Sequence, residues 1–152
     1  MSLIRYLFIA IAMASLLGCN DANRFTDKEV NNVLQILSEI DAVRDEYGVK
    51  ADNERRENDN QTIVLYTYFK KIDKGVVDII NLHLQNHDIP KELAIHFEQW
   101  SDALSSSLNI YDELLTSGKE PVELSEHQKT ILVDNEIQRT LAERFIRNSL
   151  GG

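Results

Sequence analysis

The chain has very little of several residue types from which functional sites are often built. Its 152 residues include one cysteine, two methionines and two prolines. A single cysteine cannot form an internal disulfide, and the Cys-x-x-Cys-His motif that attaches c-type haem is absent. The sequence therefore excludes a disulfide-stabilised scaffold and a c-type cytochrome.

Positive charge is also scarce. The chain carries 16 lysine and arginine residues against 25 aspartate and glutamate residues, which gives a formal net charge of −9. Proteins that bind nucleic acid neutralise phosphates with basic patches, and this sequence has no basic run interleaved with aromatic residues. We therefore expect no nucleic-acid partner, and the acidic balance favours a basic protein as the partner.

The motifs of common enzymes are missing as well. There is no G-x-S-x-G turn, no Walker loop, no dinucleotide-binding glycine pattern and no Glu-x-x-His pair for a di-iron site. Paired acids such as Asp41 and Asp45 fit solvated helix faces better than a hydrolase dyad, because nothing near them predicts a desolvating cleft. The sequence predicts that the chain is not an enzyme.

An apolar segment occupies the amino terminus. It runs from Tyr6 to Leu17 behind a single basic residue, Arg5, and polar residues follow from Asn20 onwards. A helix that spans the bilayer core needs roughly 20 apolar residues, so this segment is too short to be a permanent anchor. Its layout predicts a cleaved export signal over residues 1–18. Cleavage removes Arg5, which moves the formal net charge from −9 to −10.

The four residues Leu16-Leu17-Gly18-Cys19 close this segment. They resemble the lipobox of bacterial lipoproteins, with leucine three positions before the cysteine and glycine directly before it. The resemblance implies cleavage between Gly18 and Cys19, a diacylglyceryl group on the Cys19 sulfur and an acyl chain such as palmitate on the new amino terminus. Asn20 after the cysteine implies delivery to the inner leaflet of the outer membrane, facing the periplasm.

Several acyl chains would anchor the protein stably, because each buried methylene contributes about 0.8 kcal/mol and a single chain binds only reversibly. The alternative is an ordinary cleaved signal with a chance cysteine, which would leave an unpaired thiol in an oxidising compartment. On the first interpretation the chain divides into a signal peptide (1–18), a lipidated tether (19–25) and a folded domain (26–152).

Four amphipathic segments predict helices over residues 27–47, 60–86, 90–117 and 126–148. Capping boxes open the first and last of these helices, formed by Thr26 with Glu29 and by Ser125 with Gln128. Gly48 is a plausible end for the first helix, and the charged stretch 49–61 after it reads as a loop or a frayed helical extension.

Lines of apolar residues at helical spacing mark the faces that we expect to be buried. The third helix has the most regular line: Leu93, Phe97, Trp100, Leu104, Leu108, Tyr111 and Leu115. The second and fourth helices carry Leu65, Phe69, Ile72, Val76 and Ile79, and Val133, Ile137, Leu141 and Phe145. Short connections between such helices predict an all-α, antiparallel up-down-up-down four-helix bundle. A three-helix core with an amino-terminal arm is the alternative.

One group of side chains could bind a metal ion. His83 and His87 are four residues apart, Glu92 and His96 repeat that spacing, and the predicted hairpin would bring the two pairs together. Imidazole and carboxylate groups of this kind bind zinc, copper or nickel. The HExxH pattern of zinc proteases is absent, and polar residues at a helix turn explain the same cluster.

Two functions follow from these observations. The first is a lipid-anchored periplasmic protein that acts by protein–protein interaction through an acidic helical surface, as an adaptor, assembly factor, inhibitor or immunity-type protein. The second is a periplasmic helical bundle that binds or senses a transition metal through the histidine group. Apart from the lipid chains on Cys19, the first interpretation requires no cofactor.

Overall fold

The structure is a computed structural model that describes residues 25–57, 60–117 and 123–151. Four helices occupy these ranges and no strand is present in them, which confirms the predicted all-α four-helix bundle. The helices are α1 (Asp27–Glu57), α2 (Gln61–Gln85), α3 (Lys91–Thr116) and α4 (Glu126–Ser149). Among the described residues, no helix has the length and apolar character needed to cross a bilayer.

Both predicted capping boxes are present. The Thr26 N–H donates to the Glu29 carboxylate (2.8 Å), and the Glu29 N–H donates to the Thr26 hydroxyl (3.3 Å). At the start of α4, the Ser125 N–H donates to the Gln128 side-chain oxygen (3.0 Å), and the Gln128 N–H donates to the Ser125 hydroxyl (3.2 Å). Each box satisfies amide groups that the first helical turn would otherwise leave without a partner.

The prediction that the first helix ends at residue 47 was wrong, because α1 passes through Gly48 and continues to Glu57. The extension is held by a small second core, in which buried Ala51 packs with Val64 and Tyr68 of α2. Packing of an apolar face stabilises a helix more than one glycine weakens it. The segment 49–57 is therefore helical, as the alternative of a helical extension proposed.

The turn between α2 and α3 is a Schellman motif centred on His87. The N–H of Asp88 donates to the carbonyl of His83 (3.1 Å), and the N–H of His87 donates to the carbonyl of Leu84 (3.2 Å). His87 has φ = 57°, the left-handed conformation that this position of the motif requires. The turn directs the buried Ile89 back onto the core and makes α2 and α3 an antiparallel hairpin.

The main core is organised around α3. Trp100 and Phe97 are fully buried and their rings stack at 6.2 Å, as the regular apolar line of this helix predicted. Residues from all four helices pack around them: Val33, Ile36, Leu37 and Ile40 from α1, Val76, Val77 and Ile80 from α2, and Ala142 and Ile146 from α4. The alternative of a separate amino-terminal arm is therefore excluded.

The buried face of α4 differs from the predicted one. Val133, Ile137 and Leu141 are 58%, 47% and 43% exposed, whereas Ala142 and Ile146 are buried against α3. On α2, Phe69 of the predicted line is 39% exposed. At 100° per residue, the three exposed residues of α4 lie on the side of the helix opposite Ala142 and Ile146. The line of large residues therefore faces solvent, because α4 packs through its smaller apolar face.

The first and last helices meet through side chains instead of through close backbone packing. Within the described residues, no Cα atom of α1 lies within 8 Å of one of α4. Arg44 of α1 donates two hydrogen bonds to the Glu143 carboxylate, both 2.9 Å, and Arg147 of α4 donates to Asp41 (2.8 and 3.1 Å) and to Glu143 (3.0 Å). We call these four residues the α1–α4 ion-pair seam.

Burial by itself would raise the pKa of Glu143, but hydrogen bonds from Arg44 and Arg147 outweigh that effect and hold the pKa below its usual range. The Arg44 guanidinium also lies over the Trp100 ring, 5.2 Å from the ring centroid. The seam therefore contacts the centre of the hydrophobic core while it closes the bundle.

A close approach of α1 and α2 depends on Gly75. A Cβ atom at this position would lie 2.8 Å from Cγ1 of Val43, which is too short for a contact between carbon atoms. A Cβ atom at Gly48, by contrast, would meet nothing within 4 Å. The two helical glycines thus form a matched pair, one required by packing and one not.

We expect Gly75→Ala to lower the free energy of unfolding by about 1 kcal/mol, because overpacking against the stiff Val43 side chain outweighs the gain in helix propensity. Gly48→Ala should raise it by about 0.5–1 kcal/mol. Urea unfolding followed by circular dichroism measures both changes. The double variant Val43→Ala with Gly75→Ala should lose less free energy of unfolding than the sum of the two single losses. A loss equal to that sum would contradict the proposed clash.

Candidate functional site

The predicted lipidation site lies outside the described residues. Gly18, Cys19 and the tether up to residue 24 have no described structure. The first described residue, Phe25, is half-buried and packs against the main core just before α1 begins at Asp27. The described part of the chain begins six residues after Cys19, and lipidation stays a prediction.

The outer side of α3 carries several acidic residues. Within this helix, Lys91 is the only basic residue, whereas five residues are acidic. Glu98, Asp102 and Glu113 are exposed and lie on the side opposite Trp100, and we call them the acidic face of α3. Glu113 accepts a hydrogen bond from Gln128, whereas Glu98 and Asp102 form no ion pair with any described residue.

Several basic residues of the chain are used elsewhere, whereas Lys91 is exposed on this side of α3, seven residues before Glu98. Arg44 and Arg147 belong to the α1–α4 ion-pair seam, and Arg139 pairs with Glu136 on its own helix. Lys70 pairs with Asp112 at the edge of α3, beside the acidic face. The surface around Glu98 and Asp102 therefore keeps its negative charge, which attracts a positively charged surface.

Asp73 is an acidic residue in an interior position of α2. It is half-buried and lies close enough to Arg139, Arg44 and Glu136 to interact with them electrostatically. Near it, the Phe69 ring of α2 and the Tyr111 ring of α3 form an aromatic pair with centroids 6.2 Å apart. Asp73 thus lies between charged groups of α1 and α4 and an aromatic ring of α3.

Burial raises the pKa of Asp73 to about 7, although Arg139 and Arg44 oppose the shift. Burial also raises the pKa of Tyr111, and the charges of Asp73 and Glu136 add to that effect. An ionised Asp73 is therefore costly in the folded protein. Asp73 is therefore better interpreted as a buried acid that destabilises the fold than as half of a hydrolytic dyad. No second acid among the described residues shares its proton.

The histidines of the predicted metal group have separate environments. His83 forms hydrogen bonds through both ring nitrogens, from Nε2 to Glu39 (3.0 Å) and from Nδ1 to Asp88 (3.1 Å). The His96 ring packs on Phe145 with the ring centroids 3.8 Å apart. His87 occupies the left-handed position of the Schellman motif, and Glu92 is exposed on the first turn of α3.

Within residues 25–57, 60–117 and 123–151, no three His, Cys, Asp or Glu side chains are placed to hold a metal ion. The metal-binding hypothesis therefore stays a prediction without an assembled set of ligands in this part of the chain.

His83 joins three elements of the fold, since Glu39 belongs to α1 and Asp88 to the turn before α3. Burial alone would lower the pKa of His83, but its hydrogen bonds to the two carboxylates raise it above the usual 6.5. The protonated imidazole, with its two N–H groups, is the form that both carboxylates favour. Burial lowers the pKa of His96, and a hydrogen bond with the Gln99 side chain opposes this shift.

The chain matches no known protein family, and no curated protein or solved structure matches it either. Functional conclusions must therefore come from its own residues and their arrangement.

Two of these features were missed by the sequence analysis, although signals for both are present. The acidic face of α3 follows from the absence of any lysine or arginine between Lys91 and the end of that helix. Asp73 occupies an interior position by spacing, four residues after Phe69 and three before Val76. A charge count over the whole chain does not show that α3 lacks basic residues after Lys91. An analysis of apolar residues alone does not show that Asp73 occupies an interior position.

We expect Asp73→Asn to remove a loss of stability as the pH rises. Folded Asp73 keeps its proton up to about pH 7, whereas the unfolded side chain loses it near pH 4, so ionisation costs stability across this interval. The cost should reach roughly 2–4 kcal/mol above pH 7. Urea unfolding at pH 5, 6, 7 and 8 measures it.

The matched control is Asp102→Asn, an exposed position on α3. This variant should keep the pH dependence of the unchanged protein. Equal pH profiles for Asp73→Asn and Asp102→Asn would show that Asp73 is not the group responsible.

Proposed function

We propose that this chain is a lipid-anchored protein of the bacterial cell envelope that acts by binding a basic partner protein through the acidic face of α3. The observation that carries the proposal is the surface of α3, where Glu98 and Asp102 are exposed without a cationic partner among the described residues. The resemblance of residues 16–19 to a lipobox supports the anchor. An adaptor, assembly factor, inhibitor or immunity-type protein would all use such a surface.

The extent of the acidic face suits a protein partner. Glu98 and Glu113 are fifteen residues apart, which corresponds to about 22 Å along the helix axis. That length exceeds what a small ligand requires and matches one side of a modest protein interface. The rigid core beneath it, with Trp100 and Leu104 fully or almost fully buried, keeps the carboxylates at fixed spacing.

Charge determines the kind of partner. Excess negative charge attracts a basic surface over several ångströms, accelerates encounter and rejects acidic proteins. The same charge repels anionic lipid headgroups, so the acyl chains would hold the domain at the membrane while the acidic surface stays in solution. Binding should weaken as salt screens the charges.

The anchor has a direct test in the native host. We expect Cys19→Ser to move the protein from the membrane fraction to the soluble periplasm, because Cys19 is the proposed site of acylation. Its helical circular dichroism should not change, since the four described helices lie after Cys19, from Asp27 onwards. A Cys19→Ser protein that still sediments with membranes would exclude lipidation as the anchor, and so would a mature protein without the acyl mass.

The partner surface is tested by placing a photo-crosslinking amino acid at Asp102 in cells of the native host. We expect a crosslinked product that contains a protein of basic isoelectric point. The matched control is the same probe at Asp78, an exposed aspartate on α2, where the yield should be at least fivefold lower.

Charge reversal gives the second part of this test. Glu98→Lys should reduce the crosslink at Asp102 at least fivefold, whereas Asp45→Lys, an exposed change on α1, should leave it unchanged. A crosslinked partner that is acidic, or a yield insensitive to Glu98→Lys, would contradict the proposal.

A further inference from the structure

The outward side of α4 carries an apolar line that the bundle does not use. We call Val133, Ile137 and Leu141 the outer line of α4, and the three side chains are between 43% and 58% exposed. They follow one another at four-residue spacing and span about 12 Å along the helix. The other exposed large apolar residues do not form such a line, since they are spread over three helices: Leu34, Val49, Phe69, Leu82 and Ile95.

The charge around the outer line differs from that of the rest of the chain. Helix α4 contains four acidic and four basic residues, whereas α3 contains five acidic residues and one basic residue. Two copies of a chain with a net charge of −9 repel each other over most of their surface. Because α4 as a whole carries equal numbers of acidic and basic residues, that repulsion is smaller along this helix, where apolar side chains are also available.

The two ends of this surface carry opposite charges. Glu126 lies eleven residues before Ile137, and Arg144 lies seven residues after it. Both are exposed on the same side of the helix as the outer line. Glu126 pairs only with Lys129 in its own first turn (2.7 Å), and Arg144 forms no ion pair with the residues that the structure describes.

We propose that two copies of the chain pair through the outer line of α4, with the two helices antiparallel. Pairing about Ile137 places Val133 of one copy opposite Leu141 of the other. It also brings Arg144 within about one helical turn of Glu126 of the second copy, twice by symmetry, where Arg144 joins Lys129 as a second cation beside that carboxylate. A parallel pairing would instead place Arg144 beside Arg144 and Glu126 beside Glu126, so charge selects the antiparallel arrangement.

The area involved determines the strength of the association. A stable interface buries about 800 Å² on each partner, and three partly exposed side chains on one helix supply less. The pairing is therefore weak and reversible in dilute solution, and a high local concentration increases it. The inference does not depend on the proposed function, because the outer line of α4 and the acidic face of α3 are different surfaces.

Disulfide crosslinking of the full-length chain tests the pairing and its direction. In a Cys19→Ser background, Ile137→Cys should give a covalent dimer under mild oxidation, because Ile137 faces itself across the two-fold axis. A mixture of Val133→Cys and Leu141→Cys chains should give at least fivefold more mixed dimer than the amount of homodimer that either chain gives alone. Leu82→Cys, an exposed apolar position on α2, is the control and should remain monomeric.

Charge reversal tests the proposed contacts between the copies. Arg144→Glu should reduce the Ile137→Cys dimer at least fivefold, and the double change Arg144→Glu with Glu126→Arg should restore it. Circular dichroism verifies that each variant keeps its helical content. Preferential self-crosslinking of Val133→Cys would overturn the antiparallel arrangement. An Ile137→Cys yield equal to that of Leu82→Cys would overturn the pairing.

Discussion

The contact between arginine and carboxylate side chains of α1 and α4 is the constraint on which the bundle depends. Consecutive helices pack closely, but the first and last do not, and Arg44 with Glu143 and Arg147 with Asp41 span the remaining distance. The Arg44–Glu143 pair is bidentate and partly buried, which makes it stronger and more directional than an exposed ion pair, whereas the Arg147–Asp41 pair is more exposed. Removing one partner from such a group leaves a charge without compensation, so the seam is sensitive to single substitutions.

This use of arginine has a consequence for the surface. The seam pairs two arginines with two carboxylates, so neither arginine is available to Glu98 and Asp102 on the outer side of α3, which form no ion pair with a described residue. Helix α4 has three distinct sides: Ala142 packs on α3, Glu143 and Arg147 contact α1, and the outer line faces solvent. The acidic and the neutral surfaces that we propose for two different contacts therefore lie on neighbouring helices.

Two interior groups, Asp73 and His83, lower the stability of the fold as the pH rises, whereas the lowered pKa values of Glu143 and His96 act in the opposite direction. Asp73 favours its neutral form because burial penalises its charge, and His83 favours its protonated form because two carboxylates accept its hydrogen bonds. Stability from His83 is complete below its unfolded pKa and is lost as the pH rises through its higher folded pKa. Both residues thus bind a proton more tightly in the folded protein, and both favour the folded state at lower pH.

Local sequence determined the features that depend on neighbouring residues. The capping boxes at Thr26 and Ser125 need only residues three positions apart, and the buried side of α3 follows from one unbroken apolar line through Trp100. The order of four helices with short connections was sufficient to predict an antiparallel bundle.

Only the tertiary structure decided which side of α4 is buried. That helix has a line of large apolar residues through Ile137 and an opposite, smaller one through Ala142 and Ile146, and hydrophobic periodicity fits both. The fit of Ala142 against α3 and the reach of Arg147 to Asp41 selected the second. The separation of His83 from His96 was decided in the same way, since partners forty or more residues away in the chain, Glu39 and Phe145, hold the two rings.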